Sequence, residues 1–309
     1  KSTNGGNSFS SIAPASNGAW VTPYMLDRNN PQIIYIGYEE LYKSTDGGSS
    51  WNIITNNETN GGKIDQLQVS KSNPDIIYFS DNANIFKTID GGLTWNNLTG
   101  SLPNKTITSI TLNSTNEDRV WLTFSGYDNN EKVYFSDNGG NTWNNISGTL
   151  PNVPANCLIL NELDSLETLY IGTDLGVFTK DSTINDWNNY NYGSLPNVIV
   201  NELEIQYPSN KLLAATFGRG LWSIDLLITS PPVADFTVND SIFCNVPATV
   251  NFTNTSYYSN SYYWDFGDGN TSTSTNPSHS YSNFGTYTVS LIANGPLGID
   301  SIVYTSLLN

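Results

Sequence analysis

Charged residues are scarce in this chain of 309 residues. They make up 13% of the sequence, and its 12 basic residues are outnumbered by 28 acidic ones, for a net charge of −16. The charged share is about half the usual one. The negative net charge repels phosphate backbones, so we expect no nucleic-acid partner. The chain has a single histidine. That scarcity argues against a Ser-His-Asp triad and against a Cys/His metal cluster.

Cysteines and long apolar runs are also few. Cys157 and Cys244 allow at most one disulfide and fall in different candidate domains, so we interpret both as buried free thiols. No apolar run approaches the roughly 20 residues of a membrane-spanning helix, and no membrane insertion is predicted. No signal peptide opens the chain, as expected of a mature or excised segment. Asn, Ser, Thr and Tyr fill the polar positions, which favours strands and turns over helices.

What the sequence has in quantity is an eight-residue repeat. It reads STDGGSSW at 44–51, TIDGGLTW at 88–95 and SDNGGNTW at 136–143, with weaker copies at 2–9 and 179–187. The closing Trp positions 51, 95, 143 and 187 are separated by 44, 48 and 44 residues. A period in the forties is typical of a repeat architecture. Lys1-Ser2-Thr3 falls in register with Lys43-Ser44-Thr45, so we expect the chain to begin inside a strand, with residues upstream completing that hairpin.

Each octet is predicted to be a hairpin turn with a structural role. Gly-Gly supplies the positive φ, the preceding Asp or Asn bonds the N–H groups of the turn, and the Ser or Thr adds a further backbone bond. The closing Trp packs against the neighbouring repeat. Because an active site is needed only once, a recurring acid is not expected to be catalytic. The residues given this role are Ser44, Asp46, Gly48 and Trp51; Thr88, Asp90, Gly92 and Trp95; and Ser136, Asn138, Gly140 and Trp143.

Four strand-like runs fall in each repeat, the first set being 20–25, 32–37, 41–44 and 51–54. Four antiparallel strands per period of this length form one blade of a β-propeller, so residues 1–228 are predicted to be an all-β propeller of about five four-stranded blades. A fifth set, at 199–205, 211–216 and 220–226, has three runs and no octet. Two explanations stay open: residues 9–13 supply the missing outer strand and close the ring, or further blades lie upstream.

These motifs resemble two known families. The octet resembles the Asp box (BNR repeat) of sialidase-like and sortilin-like propellers, and residues 217–222 (FGRGLW) look like the ending of the last blade in secreted BNR-repeat proteins of the Bacteroidota. After a Pro-rich linker at 229–232, residues 233–309 are similar to a PKD domain, an Ig-like β-sandwich, through the signature WDFGDG at 264–269. The resemblance implies structural roles for Trp264, Asp265, Gly267, Asp268 and Gly269, and for His279.

Sialidases are the best-known Asp-box enzymes, and the arginines argue against that activity. The resemblance would require three arginines that converge on one carboxylate. Here Arg28 and Arg119 fall between first and second strands, whereas Arg219 falls between second and third strands. Those connections leave opposite faces of a blade, so the three guanidinium groups cannot meet.

A ligand face, if the propeller has one, is predicted opposite the octets, on the loops between second and third strands. Aromatic rings there would stack on sugars or grip a peptide, with loop packing as the alternative. Acidic residues on these loops leave a glycosidase carboxylate pair or a structural Ca²⁺ open, but a solvated rim is preferred and no EF-hand-like spacing is present. No catalytic residue, metal or cofactor is therefore predicted. The candidate ligand contacts are Tyr38, Glu39, Tyr127, Asp174, Phe217 and Arg219.

The function expected from these features is non-catalytic: adhesion, binding of a polysaccharide or a protein, or spacing of other domains. The alternative is the accessory region of a secreted hydrolase, a glycosidase or a protease, whose catalytic domain lies outside this chain. The resemblance implies an extracellular or cell-surface protein, with further domains, exported by the type IX secretion system. Three Asp-Ser-aliphatic triplets resemble the O-glycosylation signal of the Bacteroidota and make Ser165, Ser241 and Ser301 candidate modification sites. The ligand, the total number of blades and the oligomeric state stay open.

Overall fold

The computed structural model of the protein describes residues 1–15, 18–128, 130–184, 186–191, 195–239 and 245–308. Cα proximity divides the chain into two units. The first contains residues 1–162, 167–203 and 214–222, and the second contains 163–166, 204–213 and the residues from 223 onward.

Four sheets of the first unit share one construction, in which four antiparallel strands pair in chain order. The predicted four-stranded blades are thereby confirmed. Their outer strands are only two residues long, because the octet turn and the next loop leave little length between them. The strands are β1 Tyr24–Leu26, β2 Ile34–Gly37, β3 Leu41–Ser44 and β4 Asn52–Ile53; β5 Gln66–Val69, β6 Ile77–Asp81, β7 Asn84–Thr88 and β8 Asn96–Asn97; β9 Ile107–Leu112, β10 Val120–Phe124, β11 Val133–Ser136 and β12 Asn144–Asn145; β13 Ala155–Leu160, β14 Leu169–Thr173, β15 Gly176–Lys180 and β16 Asn188–Asn189.

The fifth sheet has three strands, β17 Val200–Gln206, β18 Lys211–Thr216 and β19 Gly220–Asp225, with a turn of 3₁₀ helix at Tyr207–Ser209. The suggestion that residues 9–13 complete it is wrong, since they are not part of that sheet. Lys1 and Ser10 instead exchange two backbone hydrogen bonds, of 2.8 and 2.9 Å. The carbonyl of Ile12 then accepts the indole N–H of Trp51. Residues 1–12 therefore occupy the place of a third-to-fourth-strand hairpin preceding the first blade.

Each octet turn is held by one hydroxyl and one side-chain oxygen. In the first, Ser44 Oγ accepts the N–H of Gly48 at 2.8 Å and donates to Asp46 Oδ1 at 2.8 Å. The same Oδ1 accepts the N–H of Ser50 at 2.9 Å. Ser44 is fully buried, so its hydroxyl satisfies the interior of the turn. The equivalent bonds are made by Thr88 with Asp90 and by Ser136 with Asn138.

The second glycine of each Gly-Gly pair is required for two reasons, its backbone conformation and its contact with the preceding repeat. Gly48 has φ of 89°, a conformation that residues with a Cβ rarely adopt. A Cβ there would also lie 2.6 Å from the side chain of Ile12. Gly92 and Gly140 have the same backbone sign, and a Cβ on either would meet Ile54 or Leu98 of the preceding repeat. Close contact between repeats therefore depends on these glycines.

Each closing Trp fastens its blade to the preceding repeat. Its indole N–H donates to a backbone carbonyl of the preceding repeat, and at three of the four junctions this carbonyl directly follows the outer strand of that repeat. A lysine adds a second link at two of these junctions: Lys1 donates to Gly47 O at 2.9 Å and Lys87 to Gly139 O at 3.2 Å. The four indole bonds are Trp51 to Ile12 (2.9 Å), Trp95 to Ile54 (2.7 Å), Trp143 to Leu98 (2.9 Å) and Trp187 to Ile146 (2.9 Å).

Apolar side chains fill the space between neighbouring blades. Tyr78 and Ile85 of the second blade share a buried cluster with Ile107 and Leu122 of the third. The Tyr78 hydroxyl donates to Gly139 O at 3.1 Å, so even this buried polar atom serves the contact between blades. Burial raises the pKa of Tyr78 above its ordinary value.

The C-terminal sheets form the predicted Ig-like sandwich. One has the order β20 Phe236–Val238, β21 Ala248–Asn254, β24 Ser278–Tyr281; the other has the order β23 Thr271–Ser272, β22 Ser261–Asp265, β25 Tyr287–Gly295, β26 Gly298–Leu308. Trp264 is fully buried between them, with its ring centroid 5.0 Å from that of Phe236 and 5.5 Å from that of Phe252. Its indole N–H donates to Ser274 O at 2.9 Å.

The WDFGDG segment makes the turn between β22 and β23. Asp265 Oδ1 accepts the N–H of Gly267 at 2.9 Å, and a Cβ on Gly267 would lie 2.3 Å from Thr288 O. Asp268 Oδ2 lies 2.8 Å from His279 Nε2, and the imidazole stacks on Phe266 with centroids 4.3 Å apart. His279 is therefore part of the packing of this turn.

Removing one indole N–H tests the fastening of the blades. In Trp95→Phe the ring can still pack on Phe79, but the Ile54 carbonyl loses its donor, so we expect a loss of about 1–3 kcal/mol in the free energy of unfolding. The matched control is Trp222→Phe, whose indole bonds Arg219 O three residues away. Its cost should stay within about 0.5 kcal/mol. Urea unfolding measures both, and equal losses in the two variants would contradict the role assigned to Trp95.

The octet carboxylates should also make the stability of the folded protein depend on pH. Hydrogen bonds from Thr88 and Thr94 lower the pKa of Asp90 to about 2. Because this pKa is lower in the folded protein than in the unfolded chain, where it is about 3.9, ionised Asp90 stabilises the folded state at pH values above about 3.9. This stabilisation is lost as the pH falls toward 2. Asp90→Asn should keep the turn, because Asn138 makes the same turn with its amide. We expect the urea midpoint of this variant to fall less steeply between pH 5 and pH 2.5. Asp137→Asn, an exposed carboxylate of the third octet, is the charge-matched control.

Candidate functional site

The loops between second and third strands lie at the blade ends opposite the octets. We call the surface formed by residues 38–40, 82–83, 125–128, 130–132, 174–175 and 217–219 the hairpin face. Connections that enter the next blade reach the same side, since the N–H of Ile64 donates to Tyr38 O at 2.7 Å. The octet turns hold the blades together on one side, so side chains of the hairpin face are left for other roles.

Tyr127, Asp174 and Asn156 form a hydrogen-bonded junction across neighbouring blades. The Tyr127 hydroxyl donates to Asp174 Oδ2 at 3.1 Å. Asp174 Oδ1 accepts Asn156 Nδ2 at 3.0 Å, and the same amide donates to Val200 O at 3.2 Å. The bond to Asp174 raises the pKa of Tyr127. The ring of Tyr127 nevertheless stays 64% exposed, so it is oriented by its hydroxyl while its faces remain open to a ligand.

Two lysines hold the loop that carries Tyr127. Lys105 Nζ lies 3.0 Å from Asp128 Oδ2 and 2.6 Å from Glu131 Oε2. Burial acts to lower the pKa of Lys105, but its interactions with the Glu131 and Asp128 carboxylates outweigh that effect and raise it. Lys132 is buried, its Nζ donates to Gly126 O at 2.5 Å, and burial lowers its pKa. Both positive charges are therefore engaged with groups of this loop.

The other candidate ligand contacts predicted from the sequence differ in how far their side chains are exposed to solvent. Tyr38 is only 7% exposed, with its ring edge-on to Tyr42 at 5.8 Å, so it packs the loop and offers no open face. Burial raises its pKa. Glu39 and Arg219 are exposed at the loop tips. Phe217 is 69% exposed, and its backbone N–H donates to Ile199 O.

Trp20 lies beside the hairpin face, on the loop that leads into β1, and was missed by the sequence pattern. The pattern placed it in a strand over 20–25, but β1 begins at Tyr24. Its side chain is fully exposed, at 102% of the reference value. The loop is anchored by Lys63 Nζ, which donates to Gly18 O at 2.8 Å. The signal available in the sequence was the position of Trp20 between Gly18 and Pro23, two residues that favour loops.

Acidic side chains on the hairpin face and at its border have structural partners. Glu40 accepts the hydroxyl of Thr55 at 2.5 Å, and Asp81 accepts the amide of Asn84 at 2.8 Å. Burial raises the pKa of Asp81. Within the described part of the chain, no group of three or more His, Cys, Asp or Glu side chains is arranged to hold a metal ion.

The remaining candidate residues lie elsewhere. Arg28 and Arg119 are on connections between first and second strands, and Arg219 is between β18 and β19. Cys157 is buried without a disulfide, and burial raises its pKa. Ser165 and Ser301 are exposed. Ser241 and Cys244 lie outside the described residues.

Two family models match this sequence. Residues 39–158 match the Sortilin-Vps10 family, described as Sortilin, neurotensin receptor 3, and residues 229–302 match the PKD domain. The chain is an Asp-box β-propeller followed by a PKD domain. This combination is typical of a non-catalytic or accessory module, and both domain types are typical of extracellular proteins. In the described residues, no helix has the length and apolar character needed to cross a membrane.

A solved structure shares the propeller fold. The structure of YCF48 bound to D1 peptide has a TM-score of 0.52 at 16% identity, with 74% of this chain and 72% of that chain covered. Two others show a weaker likeness. The GH74 xyloglucanase from Xanthomonas campestris has a TM-score of 0.49 at 13% identity and covers 65% of this chain, which in turn spans 36% of the xyloglucanase. The PKD1 domain of a Vibrio cholerae metalloprotease is 36% identical, with a TM-score of 0.22, over 25% of this chain and 94% of that one.

Loss of Lys105 should loosen the Tyr127 loop. In Lys105→Met, Asp128 and Glu131 lose their shared partner, so we expect cleavage within residues 125–131 to rise about threefold or more under limited proteolysis. Lys63→Met removes a lysine from another loop of the same face and is the control. Mass spectrometry of the first cleavage products locates the cut. Equal cleavage of the wild type and Lys105→Met at this loop would contradict the anchoring role.

Proposed function

We propose that this chain is an extracellular, non-catalytic binding module that holds a polysaccharide or a protein on its hairpin face. The observation that carries the proposal is the state of Tyr127, whose ring is largely exposed while its hydroxyl is held by Asp174. A ring that is oriented before the ligand arrives loses little conformational freedom on binding. Loop packing alone would leave the ring covered, as it does for Tyr38.

Two further exposed rings support a binding surface. Phe217 lies on the loop beside the junction, because its N–H bonds Ile199 and the next residue, Val200, accepts the amide of Asn156. Trp20 is on the loop anchored by Lys63. Large apolar side chains that stay exposed on one surface are typical of interaction sites. Adhesion and an accessory role in a secreted hydrolase share this binding step.

The proposal is tested by screening the protein against immobilised glycans and extracellular-matrix proteins. For the ligand that is retained, Tyr127→Ala should weaken binding by about tenfold, because it removes both the ring and the donor to Asp174. The control is Leu93→Ala, which removes an exposed apolar side chain from the octet side of the propeller. Binding that is insensitive to Tyr127→Ala, or is lost in Leu93→Ala, would place the ligand elsewhere and overturn the proposal.

A further inference from the structure

The charges around Tyr127 restrict the chemistry of its ligand. On the loop that carries this ring, Asp128 and Glu131 face Lys105, while Lys132 is buried with its Nζ on Gly126 O. The two carboxylates of this loop are therefore balanced by Lys132 of the same loop and by Lys105, which precedes β9. An anionic ligand finds no free ammonium group among them, and the net charge of −16 adds repulsion.

Asp174 adds an acceptor at the edge of the exposed ring. Its Oδ2 accepts Tyr127 and its Oδ1 accepts Asn156, at 3.1 and 3.0 Å. A carboxylate has about four lone-pair positions, so each oxygen can accept a further donor. The following residue, Leu175, is partly exposed and continues the apolar surface. The junction thus offers flat apolar contact beside the Asp174 carboxylate, a hydrogen-bond acceptor whose negative charge disfavours an anionic ligand.

We infer that the ligand of the hairpin face is an uncharged polysaccharide, with one sugar ring stacked on Tyr127 and its hydroxyls donated to Asp174. This inference rests on the proposed function, and it names the class of ligand. Pyranose rings present apolar C–H faces and hydroxyl donors at their edges, which matches both parts of the junction. A lysine-rich peptide would be held mainly by charge, but two of the three neighbouring carboxylates, Asp128 and Glu131, are already paired with Lys105.

The dependence of binding on salt separates these classes. Binding would be measured by affinity gel electrophoresis and calorimetry with neutral glucans, xylans and mannans, with polygalacturonate, and with a lysine-rich peptide. We expect at least one neutral polysaccharide to bind with a Kd that changes less than about twofold between about 50 and about 500 mM NaCl. Tyr127→Ala should weaken it about tenfold. Tyr263→Ala, an exposed tyrosine of the PKD domain, should leave it unchanged.

The outcomes distinguish this inference from the proposed function. Polygalacturonate or the lysine-rich peptide could bind preferentially, with the binding lost at high salt and in Tyr127→Ala. That result would overturn the inferred class of ligand but would still support the hairpin face as the binding site. Binding of a neutral polysaccharide that is equally strong in Tyr127→Ala would overturn both the assigned contacts and the face. Absence of binding to every neutral polysaccharide overturns the inference as well.

Discussion

The hydrogen bond from each octet indole to a carbonyl of the preceding repeat is the contact on which the propeller depends. A blade of four short strands has two sheet faces and cannot bury both alone. The indole bond sets where the next blade sits, and the glycine before it lets the two backbones approach. Trp187 makes this bond although its octet has decayed, so the fastening tolerates loss of the carboxylate turn. The bond recurs along the propeller, which is why the aromatic positions carry the clearest period in the sequence.

The octet contacts between blades lie at one end of each blade, so the loops at the other end are not needed to hold the blades together. Octet residues are committed to turns and to the neighbouring repeat, whereas the loops of the hairpin face differ in length and content from blade to blade. In one blade the loop is packed by Tyr38, and in another it is held by Lys105 and presents Tyr127. The antiparallel order of strands places the recurring turns and the varied loops at opposite ends of each blade.

The Tyr127 junction combines support and exposure. Asp174 holds a tyrosine from one blade and an asparagine from its own, and that asparagine reaches the carbonyl of Val200 in the next sheet. Such bonds fix the positions of the loops, so that an exposed ring is presented on a rigid frame. The same carboxylate retains the capacity to accept a donor from outside. A binding surface built in this way needs no deep pocket.

The sequence alone determined the repeat, the four-stranded blades, the octet turns and the Ig-like sandwich, because each follows from local chemistry: Gly-Gly turns, alternating strands and a period between aromatics. Only the tertiary structure decided which loop residues are covered and which are exposed. Tyr38 and Tyr127 occupy equivalent loops, yet neighbouring loops bury one ring and leave the other open. The sequence of residues 9–13 is compatible with an outer strand in more than one blade. Only the contacts of the folded chain show that they lie beside Lys1 and Trp51. Local patterns specify the shape of a turn, whereas exposure depends on what the rest of the chain brings against it.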